Sequence, residues 1–156
     1  MIGFGTSVNW PVGLGASGNP GVAGLVKQTE GSVGYVELIF AIQNKIPFGD
    51  VQNAAGEFVT ASLAGVSAAA AGAAANMPED FRVSITNAPG TTSYPISSFT
   101  WLLVPSKIDD PAKKRVITDF VKWALGDGQK MTEALAYAMI PSAVVSKELK
   151  TLAKVQ

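Results

Sequence analysis

Three glycines near the start of the chain have the spacing of a dinucleotide-binding motif. Gly13, Gly15 and Gly18 form a G-x-G-x-x-G pattern, and the acidic Glu37 follows at about the 20-residue distance that the motif requires. In such sites the glycines bring the backbone close to a pyrophosphate, and the acidic residue binds the ribose. Pro11 opposes this interpretation, because proline lacks the N–H that a central strand entering the motif would need. The pattern therefore favours a glycine-rich turn, with a dinucleotide site as the remote alternative.

The turn leads into a short helix, whose first turn is the candidate anion site. Asn19 is predicted to cap this helix and Pro20 to be its first residue, with Gly18 ahead of it, since the missing proline N–H costs nothing there. Gly31 is predicted to end the helix in a left-handed conformation. Unpaired N–H groups at a helix start attract anions. Any anion affinity is therefore expected at Gly18, Asn19, Gly21 and Val22.

Composition excludes several kinds of chemistry. The 156 residues include no histidine and no cysteine, which removes Ser-His and Cys-His nucleophiles, thiolate metal sites and disulfides. The 12 basic and 12 acidic residues cancel, so the charge expected of a nucleic-acid-binding surface is missing. The acidic pairs Glu79-Asp80 and Asp109-Asp110 each lie beside a proline and are interpreted as turn or helix N-terminal residues. No catalytic residue, metal site or cofactor is predicted, and we expect that the chain is not an enzyme.

Hydrophobic patterning predicts an α/β fold. Strands are expected at 2–8, 32–36, 81–86 and 96–104, and a hairpin turn at 53–56. Trp101 to Val104 is apolar on both faces, which is typical of a strand buried within a sheet. Helices are expected at 37–44 and 62–76 and, after Pro111, at three apolar stripes. These stripes are Val116, Ile117, Phe120, Val121, Ala124 and Leu125, ended by Gly126; Met131, Leu135 and Ala138; and Val145, Leu149 and Leu152, beginning near Pro141.

Four blocks of sequence, in order, carry a family resemblance. They are W-P-V-G-L-G-A-S-G-N-P-G-V-A-G-L-V, G-S-V-G-Y-V-E-L-I-F-A-I-Q-N-K, Y-P-I-S-S-F-T-W-L-L-V and F-V-K-W-A-L-G-D-G-Q-K. The later A-L-A-Y-A-M-I-P-S-A-V-V is similar to the closing helices of the same family. Together these segments resemble the C-terminal half of the periplasmic phosphate-binding protein of bacterial ABC phosphate importers. The resemblance runs from Met1 to Lys154 without a large gap.

The resemblance implies a type II periplasmic-binding-protein-like α/β fold. In that family two lobes are joined by crossing strands, and phosphate is held in the cleft between them. Residues 1–94 would belong to the second lobe, and residues 95–156 would be the strand and helices that return to the first lobe, with Tyr94-Pro95 at the crossing. The resemblance also implies a periplasmic location and an ABC permease as partner. No signal peptide or membrane span is visible in the sequence.

The phosphate ligands of the family have no counterpart in this sequence. In the family they come from an early Thr-Phe turn, a serine, an aspartate and an Arg-x-x-x-Ser-Gly-Thr segment, all expected upstream of Met1. The two arginines here, Arg82 and Arg115, are interpreted as solvated surface residues. No residue is therefore carried over as a phosphate ligand. A fragment, a split half of a phosphate-binding protein and a structural or interaction module reusing the fold all stay open.

Half of a two-lobe fold is expected to leave apolar surface uncovered. The segment from Trp101 to Val104 and the helix from Val116 to Leu125 are the surfaces concerned. Unpaired strand edges and apolar patches of this kind bind other chains. We therefore expect the chain to pair with the missing N-terminal half of the same fold or with a second copy of itself.

Overall fold

The computed structural model describes residues 3, 5, 7–74 and 76–156. These residues form five α-helices, two short strands and two 3₁₀ helices. The α-helices are α1 (Gly18–Gln28), α2 (Leu38–Asn44), α3 (Leu63–Ala74), α4 (Pro111–Leu125) and α5 (Ser142–Leu152); the strands are β1 (Val51–Gln52) and β2 (Phe58–Val59); the 3₁₀ helices are Asp127–Met131 and Glu133–Leu135. No described helix is both long and apolar enough to cross a membrane. The described part of the chain is thus a mixture of helices with one small sheet.

The chain divides into two compact units, residues 1–48 and residues 49–156. The predicted lobe division between residues 94 and 95 concerns the larger two-lobe fold, and it stays a prediction. In the first unit α1 and α2 pack together around Ala23 and Ala41, which are both buried. Gly34 lies against this pair: a Cβ there would come within 2.7 Å of Val26 Cγ2 and 3.0 Å of Val22 Cγ1. Only glycine allows this close approach of the loop to α1.

The second unit is organised by one buried asparagine in the hairpin turn. Strands β1 and β2 are antiparallel, with Val51 opposite Val59, and the turn between them holds Asn53, whose exposure is 6%. Asn53 Oδ1 accepts hydrogen bonds from two backbone N–H groups of the turn, those of Ala55 and Glu57, at 3.0 Å each. Its Nδ2 lies 2.9 to 3.3 Å from three carbonyl oxygens of one loop, those of Gly90, Thr91 and Ser93. This side chain therefore fastens the loop to the hairpin.

Small side chains let the same loop approach α3. Ala69 and Ala70 are buried together with Ile85 and Ala88, and Phe99 packs against this cluster. At Gly65 an added Cβ would lie 3.1 Å from Tyr94 Cβ, and the Gly65 carbonyl accepts a hydrogen bond from the Tyr94 N–H at 3.1 Å. The prediction that the alanine-rich segment is a closely packed helix is confirmed.

Several predicted strands are wrong. Segments 32–36, 81–86 and 96–104 form no ladder with any described residue, and the predicted strand at 2–8 lies partly outside the described residues. Segments 81–87 and 95–99 do lie side by side, but an isolated backbone bond, Asn87 N–H to the Pro95 carbonyl, and a side-chain bond, Thr86 Oγ1 to the Ser97 carbonyl, join them. A strand requires a regular series of such bonds, which these segments do not make.

The helices near the C-terminus largely follow the prediction. Helix α4 begins at Pro111, capped by Asp110, whose carboxylate accepts bonds from two N–H groups of the first turn, and it ends at Gly126. Of the two interpretations given for Asp109-Asp110, turn residues or helix N-terminal residues, the structure supports the second for Asp110. Helix α5 follows Pro141, also as predicted. The stripe of Met131, Leu135 and Ala138 was wrong as one helix. Met131 and Leu135 lie in the two separate 3₁₀ helices, Ala136 ends the second at a φ of 57°, and Ala138 follows outside both.

Candidate anion site

The start of α1 differs in two ways from the prediction. The helix begins at Gly18, not after it, and its N-cap residue is Ser17, whose side chain makes no capping hydrogen bond. Asn19, the predicted cap, is bound elsewhere: its Oδ1 accepts from the Glu37 N–H at 2.9 Å, and its Nδ2 donates to Glu37 Oε1 at 3.0 Å. One amide thus satisfies two groups of Glu37, which outweighs a single cap bond within α1.

The same geometry lacks the features that a dinucleotide site requires. Residues 8–10, which precede the glycine motif, form no strand, and Gly13 has a φ of 116°, as expected of a turn. Glu37 is the N-cap residue of α2 and is bound to Asn19, whereas the motif needs its acidic residue at the carboxyl end of a strand. Gly13, Gly15 and Gly18 therefore form a structural turn.

The four residues of the candidate anion site lie together in the first turn of α1. Gly18 is exposed, and Asn19, Gly21 and Val22 are half-buried. The first turn contains no acidic residue, so the N–H groups give this end of the helix a positive partial charge. The carboxylate of Glu37, 3.0 Å from Asn19 Nδ2, lies beside it and opposes the approach of a second anion. The turn could therefore hold an anion only weakly, and the site stays a prediction.

The two arginines lie on the surface. Arg82 pairs with Asp80 at 3.5 Å, and Arg115 pairs with Asp119 at 3.6 Å along α4, with more than four fifths of each arginine side chain exposed. Such ion pairs contribute little to stability and do not form a dry anion site. Among the described residues there is also no group of three or more acidic side chains that could hold a metal ion.

Sequence reasoning missed an apolar groove in the second unit. Its volume is about 520 Å³, and it is lined by Asp80, Arg82, Val83, Ser84, Ile85, Ser98, Trp101 and Leu103. The groove follows segments 81–86 and 96–104, which were predicted to be strands. Trp101 lines it, and its Nε1 donates to the Phe81 carbonyl at 3.3 Å. The apolar run at 101–104 was visible in the sequence, but its exposure depends on the missing strand pairing and could not be read from local residues.

Comparisons with known proteins identify related sequences. No family model matches the chain. The phosphate-binding protein PstS of Xylella fastidiosa is 42% identical over 146 residues, which are 94% of this chain and 40% of that protein. The PstS protein of Pasteurella multocida is 36% identical over 94% of this chain, and that of Methanocaldococcus jannaschii is 37% identical over 92%.

These matches confirm the family resemblance. Nearly the whole chain is similar to phosphate-binding proteins from bacteria and from an archaeon. The chain spans about two fifths of the length of these relatives. More than half of each relative therefore lies outside the matched stretch, and this chain corresponds to one part of the sequence of these relatives.

Proposed function

We propose that this chain is part of a solute-binding protein for inorganic phosphate, and that it forms the scaffold against which the phosphate ligands are held. The observation that carries the proposal is the 42% identity to a phosphate-binding protein over 94% of the chain. The matched stretch is 40% of that relative. The scaffold and the ligands would thus reside in different parts of one fold, and the role is binding and transport with no catalytic step.

The proposed fold is that of the type II periplasmic binding proteins. Residues 1–94 would contribute to the second lobe, and residues 95–156 would return to the first. Five helices with a small sheet are compatible with part of such an α/β architecture. In this proposal the complete protein acts in the periplasm and delivers phosphate to an ABC permease.

The charges on this chain support a scaffold without ligands of its own. A high-affinity anion site needs donors that are shielded from water, such as a bidentate arginine or several helix N-terminal N–H groups. Arg82 and Arg115 are exposed and paired with aspartates, and the start of α1 has Glu37 beside it. The phosphate ligands are therefore proposed to come from the complementary part of the fold.

A structural or interaction module built from the same fold is the second candidate. It is favoured by large apolar side chains that lie in water, among them Leu103 at 95% exposure and Val116 at 68%. In that case the surface would bind another chain without phosphate. A partner other than the complementary half would then be expected.

Calorimetric titration with phosphate tests the proposal. The chain alone should show no dissociation constant of micromolar or tighter, on the scale where micromolar affinity corresponds to about −8 kcal/mol. The chain mixed with the unmatched part of the Xylella fastidiosa relative should bind phosphate tightly. That unmatched part alone is the control, and it should bind weakly because its scaffold is missing.

Three outcomes separate the candidates. Tight phosphate binding by the mixture alone supports the scaffold role. Tight binding by this chain alone would show that it carries ligands, and the scaffold proposal would be wrong. A stable complex of the two parts that binds no phosphate would favour the interaction module.

A further inference from the structure

Glu148, on α5, lines a small apolar cavity and has one buried carboxyl oxygen. The cavity has a volume of about 20 Å³ and is lined by Met77, Phe81, Phe99, Thr100, Trp101, Ile140, Val144 and Glu148. Oε2 of Glu148 is shielded from solvent and has no hydrogen-bond partner among the described residues. Neighbouring side chains of this kind cannot replace the hydration of an ionised carboxylate.

The charged groups around this cavity do not compensate the ionised form. Segment 77–81 carries Glu79 and Asp80, both exposed, and segment 99–101 carries no charge. On α5 itself the Nζ of Lys147 donates to the Ala74 carbonyl at 2.8 Å. Helix α4, which contacts α5, carries Lys113, Lys114, Arg115, Asp119 and Lys122. Among the described residues, Glu148 is the only charged side chain that lines the cavity.

We propose that Glu148 makes the packing of α5 sensitive to pH: the helix is held against segments 77–81 and 99–101 when the carboxyl is protonated, and it loosens when the carboxyl ionises. Burial of Glu148 raises the pKa of its carboxyl above the usual value of 4.5. Because the folded state binds the proton more tightly than the unfolded state, the contribution of Glu148 to stability is greatest below pH 4.5 and falls as the pH rises through the raised pKa. Above that pKa the penalty is constant.

Amide hydrogen exchange of the full chain between pH 4 and 8 tests this, with rates corrected for their intrinsic pH dependence. Protection of the α5 amides should fall as the pH rises from 4.5 through the raised pKa, with about tenfold for each pH step of one as the upper limit of the slope. In Glu148→Gln, which cannot ionise, protection should stay constant over the same range. Glu79→Gln is the matched control, since it removes an exposed carboxylate near the same cavity, and it should keep the fall.

The fluorescence of Trp101, which lines the cavity, gives a second measurement. In a Trp10→Phe, Trp123→Phe background its emission should shift with pH in parallel with the exchange, and Glu148→Gln should abolish the shift. If the glutamine variant does not fold, Glu148→Met makes the same test, because it fills the space without an ionisable group. A pH response that persists without Glu148, or that Glu79→Gln abolishes equally, would overturn the proposal.

Discussion

Helices α3 and α4 belong to the same compact unit but bury very different parts of their surfaces. Helix α3 is built from small residues, and Gly65, Ala69 and Ala70 are buried. Helix α4 carries much larger apolar side chains, yet none of its residues, which the structure describes throughout, is buried. The helix with the smaller side chains is therefore the one that is buried, and the helix with the larger apolar side chains is the one that is exposed.

The apolar side chains of α4 form two neighbouring stripes that differ in exposure. Ile117, Val121 and Ala124 are half-buried, whereas the neighbouring stripe of Val116, Phe120 and Trp123 is 49 to 68% exposed. Both stripes follow helical spacing, so the apolar face of α4 is wider than the surface that covers it. Phe120 and Trp123 cover one another in part, with ring centroids 6.0 Å apart. One region of the unit thus has a complete core, whereas the other leaves a wide apolar face exposed.

The largest effect is expected in the core that α3 completes. Ile85 is 1% exposed within the cluster of Ala69, Ala70 and Ala88. Ile85→Ala should lower the free energy of unfolding by about 2–5 kcal/mol, since it leaves a cavity that small neighbours cannot fill. Ile96→Ala, at a site 65% exposed, should change it by less than about 0.5 kcal/mol. Urea denaturation of both variants measures the difference, and equal losses would contradict a core confined to this region.

The next effect concerns the buried amide that holds the loop to the hairpin. Asn53→Ala removes the partners of two N–H groups and of the loop carbonyls, and should cost about 1–3 kcal/mol of unfolding free energy. The neighbouring Gln52→Ala removes one exposed hydrogen bond, to the Gly56 carbonyl, and should cost about 0.5 kcal/mol or less. Thermal unfolding followed by circular dichroism compares the two. A similar loss in both variants would argue that the loop is held by other contacts.

The smallest effect on stability is expected on α4, where the change should appear in association. Phe120→Ser combined with Trp123→Ser should alter the unfolding free energy by less than about 1 kcal/mol, because both rings are half-exposed. Light scattering at micromolar concentration should show associated wild-type chains and a shift toward monomer in the double variant. Lys122→Ser, on the same helix and exposed, should leave association unchanged. A wild-type chain that is monomeric and unfolds cooperatively would contradict the idea of an uncovered surface.

Elements set by neighbouring residues were predictable from the sequence. The hairpin turn, the alanine-rich helix, the Asp110 cap and the proline start of α5 all depend on residues a few positions apart. The predictions of strands at 81–86 and 96–104 were wrong, because a strand needs a hydrogen-bonding partner that can lie anywhere along the chain. The role of Asn53 was missed for the same reason, since its carbonyl partners are 37 to 40 residues away.

For the candidate anion site, the sequence predicted the position along the chain but not the hydrogen bonds made there. Glycine spacing indicated a turn before α1, and the structure has one. The engagement of Asn19 by Glu37, 18 residues away, was not visible in local patterns. It replaced the expected cap and placed a carboxylate beside the helix start, which changes the electrostatics of the site.

The bond from Lys147 to the Ala74 carbonyl joins residues 73 positions apart. The chain entropy lost in closing a flexible segment grows only with the logarithm of its length, by about 0.6 kcal/mol for each doubling. Lengthening an exposed turn of the intervening segment would therefore change the cost of this contact very little. The tether can hold the end of α3 to α5 across such insertions, whereas the buried Ile85 and Ala88 fix the part of the stretch that contains them.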